Sequence, residues 1–275
     1  MSMSINNPTN ISISNEIKMK SPCLNISKIG IVSRNYNDKE DFSESFYDIL
    51  QYLDSQGCDC ALFSLFTLLA KNSLNLDILR FKYLRSIFIE EFEKKDNKRQ
   101  ATCYIVYYSE NGNSWKSHPF TQMFGSISNK KPEYLKEFID EEVPNKRIMG
   151  NALVLLCGES NIVKYNKKQI RVEDIYGILK KIPNNTNIIL NPIHDRMTRF
   201  EMKKKREFLS ENNRIVISVW NKGKTFKNDR IDNKSPAYTV FYNGKEKLIK
   251  KEHYISKNDP SIEVAIIETE LIILK

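Results

Sequence analysis

Histidine is scarce in this chain: three in 275 residues, at His118, His194 and His253. The five cysteines (Cys23, Cys58, Cys60, Cys103 and Cys157) are odd in number and nowhere form a CxxC pair. Together these shortages argue against a structural zinc site, which needs His and Cys ligands at set spacings, and against a disulfide framework. Neither a metal nor a cofactor is expected. Glycine and proline are sparse too, nine of each, so a collagen-like or low-complexity chain does not fit. No apolar run reaches the roughly 18 residues of a membrane-spanning helix, so a membrane partner is not expected. Residues 1–27 are polar, rich in Asn and Ser, and without the apolar stretch of a secretory signal. They read as a flexible lead-in to one domain over 28–275. Unpaired thiols with no signal point to a reducing, cytoplasmic setting.

Apolar residues make up 40% of the chain and aromatics 11%, enough for a packed core and against disorder. The net charge of +9 is the kind of balance that meets nucleic acid or an anionic surface. Much of it falls in short runs at 203–206 and 247–251, the first on a helical pattern that reads as a solvated face. No nucleic-acid-binding motif accompanies the charge, so that class of partner is disfavoured.

Periodicity gives an ordered series of elements. A strand at 28–33 is followed by an amphipathic helix with Phe42, Phe46, Ile49, Leu50 and Leu53 on one face. A strand at 59–66 comes next, where Cys58 and Cys60 would share a face, and then a longer helix at 76–95. A strand at 101–108, a loop at 115–131 and a short helix at 132–142 complete the first half. The apolar run 151–156, a helix at 172–181 and a strand at 187–190 open the second. A polar loop at 191–195, a helix at 199–210, a strand at 214–220, a hairpin about Asn243-Gly244 and a strand at 262–267 complete it. Two similar β-α-β-α-β halves predict an α/β fold of two sheets packed face to face with helices outside, in a single domain. Segments 63–66, 115–122, 157–161, 191–195 and 220–223 then converge on one cleft.

The richest stretch chemically is Asn151-Ala-Leu-Val-Leu-Leu-Cys157-Gly158-Glu159-Ser160-Asn161. A buried strand delivers a thiol to its end and turns sharply, so that backbone N–H groups can hold an anion beside the sulfur. A small buried hydrophobe is the alternative for such a cysteine. Glu159 reads as a cap, as a wall residue, or as a carboxylate close enough to act on the thiol. His194 and Asp195, in a strand-end loop, offer a second candidate base, since His and Cys make a workable pair. Trp220 reads as core or as cleft wall.

These motifs resemble the nitrilase, or carbon–nitrogen hydrolase, superfamily over most of residues 28–271. Gly57-Cys-Asp-Cys-Ala-Leu-Phe63 looks like the segment that leads to the family's general-base Glu. Ala152 to Glu159 is similar to its nucleophile strand, and Trp115-Lys116-Ser-His-Pro119-Phe120-Thr-Gln122 to its lysine stretch. Arg214 to Asn221, Tyr242-Asn-Gly244 and Val264 to Glu268 resemble its closing strands. The resemblance implies an α-β-β-α sandwich, a dimer built on helices near the nucleophile, and hydrolysis of a small amide-like molecule at its C–N bond. It implies Cys157 as nucleophile and Lys116 as oxyanion support. Gln122 or Glu133 would stand where a second Glu is expected, and Gly158, Asn161, Gln122, Asn191 and Trp220 would lie around the substrate. It also exposes a departure: Leu65 stands where the general-base Glu is expected, and a Leu takes no proton. Either Glu159 or His194 replaces that base, or the chain is a catalytically inactive relative that binds a ligand or partner in the old cleft.

Overall fold

The computed structural model describes residues 21–35, 38–71, 74–96, 98–128, 130–194, 200–223, 236–250, 252 and 254–274. The lead-in over 1–20, Asp195 and His253 lie outside the described residues. The first half contributes β1 (Lys28–Ser33), α1 (Phe46–Ser55), β2 (Cys60–Phe63), β3 (Leu68–Leu69), β4 (Ser86–Lys95), β5 (Lys98–Tyr108) and β6 (Lys116–Phe120). The second begins with α2 (Pro132–Glu137), which runs on into a π-helical segment, Phe138–Arg147. It continues through β7 (Ile148–Met149), β8 (Ala152–Val154), β9 (Lys164–Asn166), β10 (Arg171–Glu173), β11 (Ile188–Pro192), α3 (Phe200–Leu209), β12 (Ile215–Val219), β13 (Tyr238–Tyr242) and β14 (Lys245–Lys247). The chain then closes with β15 (Glu263–Glu268) and α4 (Thr269–Leu274).

Two sheets result. One has the order β15-β1-β2-β4-β5-β6, with β3 beside β4; the other runs β14-β13-β12-β11-β8-β7. In each, the central strands are parallel (β1, β2 and β4; β8, β11 and β12) and the flanking strands antiparallel. Strand alternation explains the layering. Ile29, Ile31, Leu62, Phe88 and Val106 from one sheet meet Val154, Leu190, Ile217 and Val240 from the other in a shared core. The opposite face of the first sheet (Ala61, Phe63, Ile87, Ile89) is covered by Phe46, Ile49, Leu50 and Leu53 of α1. Leu153, Ile189 and Val216 on the outer face of the second pack under Leu135, Phe138 and Leu209. The α-β-β-α sandwich expected from the sequence is what the chain forms.

Three local readings are corrected. Residues 76–95 are not a helix: a short 3-10 turn (Leu76–Ile78) precedes the ten-residue strand β4. The first five residues of β4 are buried on both faces, so Ile87, Phe88 and Ile89 run together, and with the preceding Leu84 and with Phe92 they happen to match a helical spacing. Residues 172–181 are likewise no continuous helix. Gly177 adopts φ 74° there, and the Asp174 carboxylate accepts the N–H groups of Ile178 and Leu179, so the chain turns where a helix would need to go on. The expected loop 115–131 contains edge strand β6. In addition, Cys58 and Cys60 do not share a face, because Cys58 precedes the strand and packs under α1 while Cys60 faces the inter-sheet core.

Candidate active site

Cys157 follows β8 at the carboxyl end of the parallel strands, where open α/β sheets place their ligands. Its φ of 37° is left-handed, a conformation that costs a non-glycine residue energy and needs its surroundings to enforce it. The enforcement is visible. Glu159 Oε2 accepts the Leu156 N–H at 2.9 Å, while its own N–H donates to Leu156 O at 2.7 Å, so side chain and backbone together close the turn around the cysteine. The Ser160 hydroxyl donates to Cys157 O at 3.1 Å. Gly158 lies against Gly125 so closely that a Cβ would land inside that backbone, and Asn161 Nδ2 fastens the same Gly125 carbonyl at 2.8 Å.

Glu159 is fully buried, and both of its oxygens are committed. Besides Leu156 it accepts the Met123 N–H at 2.8 Å and Arg147 Nη2 at 2.9 Å, both on Oε1. Burial pushes its pKa up to about 7, against the pull of Arg147 and the two backbone donors. Arg147 in turn stacks over Phe120, 4.2 Å from the ring centroid. Glu159 therefore acts as a cap and a tie, fixing the turn that carries the thiol.

A carboxylate does reach the thiol's neighbourhood, from a residue that the sequence reading did not single out. Glu90, 1% exposed, sits on β4 on the same face as Phe88, pointing between the sheets. Its Oε2 lies 2.8 Å from His194 Nε2 and accepts the Phe66 N–H at 2.8 Å. Thr67 brackets its backbone, donating its N–H to Glu90 O and accepting the Glu90 N–H on Oγ1, both at 3.0 Å. The His194 ring stacks on Phe66, centroids 4.2 Å apart. The Cys157 side chain lies within electrostatic reach of the same imidazole. Burial pulls the His194 pKa down, but the Glu90 charge, the neighbouring Cys157 and the hydrogen bond to Glu90 overcome it and raise the pKa to about 10. The imidazole is therefore protonated at neutral pH.

Leu65 is fully buried in the inter-sheet core, its carbonyl held by Asn221 Nδ2 at 2.7 Å. Asn191 braces the ends of β8 and β11: its Nδ2 donates to Leu155 O at 2.6 Å, and its Oδ1 accepts the Ser218 hydroxyl at 3.1 Å. Trp220 is buried with Ile193 and Ala237, and Cys157 packs against this small cluster. The structure thus gathers Cys157, His194 and Trp220, with Gly158, Glu159, Asn161 and Asn191 supporting the turn. It does not bring Lys116 to them. Lys116 opens β6 opposite Tyr108, four residues short of Phe120, with its side chain exposed and 3.9 Å from Glu110. Gln122 is turned to Phe124 O at 2.9 Å, and Glu133 is exposed on α2. Among the described residues no group of three or more His, Cys, Asp or Glu is placed to hold a metal ion, and no helix is long and apolar enough to cross a membrane. The signal for Glu90 was present in the sequence: read as a strand, β4 places an acidic residue on the face of Phe88 and Phe92.

Fold and site define a four-layer α/β sandwich with an imidazole bonded to a buried carboxylate and a thiol near them at its strand ends. No protein-family model matches the sequence, and neither does any curated protein. Among solved structures the chain is similar to a carbon–nitrogen hydrolase from Helicobacter pylori G27, at 10% identity over 90% of this chain and 91% of that one, with a TM-score of 0.41. It is similar also to an amidase from Nesterenkonia sp., at 9% identity over 90% and 93% of the two chains and a TM-score of 0.41. A third is the glutamine-dependent NAD+ synthetase from Acinetobacter baumannii, at 11% identity and a TM-score of 0.47; 90% of this chain spans 47% of that one.

Proposed function

We propose that this protein is a thiol-dependent hydrolase of amide-type carbon–nitrogen bonds, with Cys157 as nucleophile and the Glu90–His194 pair in place of the expected general-base Glu. The observation that carries the reading is an imidazole bonded to a buried carboxylate at 2.8 Å and within electrostatic reach of the thiol. The thiolate is the reactive form of a cysteine, and an imidazole is a group that can exchange the proton involved. The sulfur bonds to the amide carbon as an electron pair moves onto the carbonyl oxygen, where backbone N–H groups of the turn after Cys157 receive the charge. As the C–N bond breaks, His194 gives its proton to the departing nitrogen. Water then adds to the thioester, one of its protons returns to His194, and the S–C bond breaks to release the acid. A reducing compartment suits a free thiol used in this way.

Buried, apolar Leu65 and exposed Lys116 favour a second reading, a ligand-binding module without turnover. Chloroacetamide separates the two. On the first, Cys157 is alkylated at pH 6 to 7, where an ordinary thiol of pKa about 8.5 is still protonated, and His194→Ala abolishes that advantage. If Cys157 labels no faster than the exposed Cys23 in the same sample, the hydrolase reading is wrong.

A further inference from the structure

At the amino ends of β11 and β12, opposite the strand ends that carry Cys157, the structure holds a cavity of about 650 Å³. That volume is in the range of small-molecule sites. Asn184, Asn187, Asn213 and Arg214 line it together with Tyr242 and Ile182. Asn187 and Arg214 stand side by side, because the Ile215 N–H donates to Asn187 O at 2.7 Å. Strand alternation turns both to the outer side of the sheet, the side of Ile189 and Val216. The surrounding backbone is held from several directions. Arg214 Nε donates to Leu209 O at 3.0 Å, at the end of α3, and the Tyr242 hydroxyl donates to Asn213 Oδ1 at 3.3 Å. Asn212 and Asn213 take φ of 57° and 60°, a left-handed pair that turns the chain from α3 into β12.

Two polar atoms stay open within this frame: Asn187 Oδ1, an acceptor, and Arg214 Nη2, a donor, are both buried without a partner. Buried hydrogen-bonding atoms are nearly always satisfied, so each such atom asks for an explanation. Arg34, Arg147 and Arg206 also keep donors without an acceptor, but those side chains are sealed in the interior at 1% exposure or less. Arg214 is half-buried and lines a cavity, beside an open acceptor on the neighbouring strand. Among the described residues of the cavity wall Arg214 supplies the charge; exposed Glu211 lies within electrostatic reach of it but not on that wall. A carboxylate is the natural acceptor for a guanidinium donor. A hydroxyl next to that carboxylate would donate to Asn187 Oδ1, and further hydroxyls, which both donate and accept, match the Asn184 carboxamide. Tyr242 and Ile182 offer apolar surface to the carbon chain between them.

We propose that this cavity is a second ligand site, separate from the Cys157 cleft, and that it takes a polyhydroxylated carboxylate of sugar-acid size, its carboxylate on Arg214 and the adjoining hydroxyl on Asn187. Calorimetry on the full chain with three probes tests it: D-gluconate; D-sorbitol, which has a hydroxyl group in place of the carboxylate; and hexanoate, which has the carboxylate and no hydroxyls. Gluconate is expected to bind at least about tenfold tighter than sorbitol, the worth of one charge-assisted hydrogen bond. It should bind at least about threefold tighter than hexanoate, the worth of a neutral one. Arg214→Gln brings gluconate and sorbitol to equal affinity, and Asn187→Ala weakens gluconate while leaving hexanoate unchanged. If Arg214→Gln does not fold, the three probes on the unaltered protein decide alone. Gluconate bound no tighter than either control, or not at all, overturns the proposal, and so does gluconate affinity that survives Arg214→Gln in full. Prior alkylation of Cys157 with chloroacetamide leaves gluconate binding unchanged; loss of binding would put the ligand in the Cys157 cleft and overturn the second site.

Discussion

Glu90 and His194 meet 2.8 Å apart across the sandwich, the carboxylate from β4 in one sheet and the imidazole from the end of β11 in the other. Neither half of the chain makes the pair alone. Asn221 ties the same two regions together: it leaves β12 to hold the Leu65 carbonyl beside β2, while Lys222 donates its N–H to Arg34 O just beyond β1. The site is thus assembled by closure of the two sheets on each other, and Cys157 lies within electrostatic reach of a ring whose charge is set from the opposite sheet.

That relationship predicts the state of the imidazole. An NMR titration of the unaltered protein is expected to show His194 titrating near 10, where burial alone would have lowered its pKa. In Glu90→Gln the principal opposing charge is gone, so the midpoint falls by several pH units, and chloroacetamide labelling of Cys157 at pH 7 slows by at least about tenfold, the equivalent of one pKa unit. An ordinary midpoint near 6.5 in the unaltered protein would remove the basis for the pair.

Stability should follow the same titration. The folded-state pKa of His194 lies above its unfolded value of about 6.5, so the folded protein holds the proton more tightly. The contribution is complete below about pH 6.5 and is lost as pH rises toward 10. Urea midpoints taken from pH 6.5 to 10 are expected to decline in the unaltered protein and to decline less in His194→Asn. Parallel curves for the two proteins would show that His194 contributes nothing to the slope.

Glu159 carries a prediction of a different kind, because it holds the turn and does not face the thiol. Glu159→Ala leaves Arg147 buried between Phe120 and Phe138 with no carboxylate, and frees the Leu156 and Met123 N–H groups. Loss of one partner of a buried ion pair costs about 3–5 kcal/mol. Denaturant unfolding measures it; a loss below about 1 kcal/mol would place the pair among exposed ones in its worth.

How far the sequence foretold this arrangement depends on how many faces each element buries. α1, with one apolar face, was legible: Phe46, Ile49, Leu50 and Leu53 are all buried as their spacing predicts. The same holds for the strand into Cys157 and the turn after it. β4 was not legible, because burial on both faces erased the alternation, and reading it as a helix hid Glu90. Lys205 and Arg206, both buried on α3, were hidden by composition, since a run of four cations reads as solvent-facing whatever lies beneath it. For Lys116 the strand alternation is in place, with His118 and Phe120 on the same side and buried, but the edge strand leaves its first residue outside.

At Leu65 the family resemblance leads one to look for a Glu. Restoring that residue would revive a family-type site only if the position could hold a charge. Here its side chain is wholly inside the inter-sheet core, and the next residue's N–H already serves Glu90. A carboxylate at 65 would lose its hydration and lie close to a second carboxylate; both effects favour the protonated, uncharged form and neither supplies a working base. Leu65→Glu is therefore expected to destabilise the fold by about 3 kcal/mol or more, with the loss growing as pH rises above 5 and the new group is forced to ionise. Amide turnover should fall or stay absent. Thermal melts at pH 5 and pH 8 together with an ammonia-release assay check both parts, and a gain in turnover at pH 8 without loss of stability would show that Leu65, not the Glu90–His194 pair, marks the place of the base.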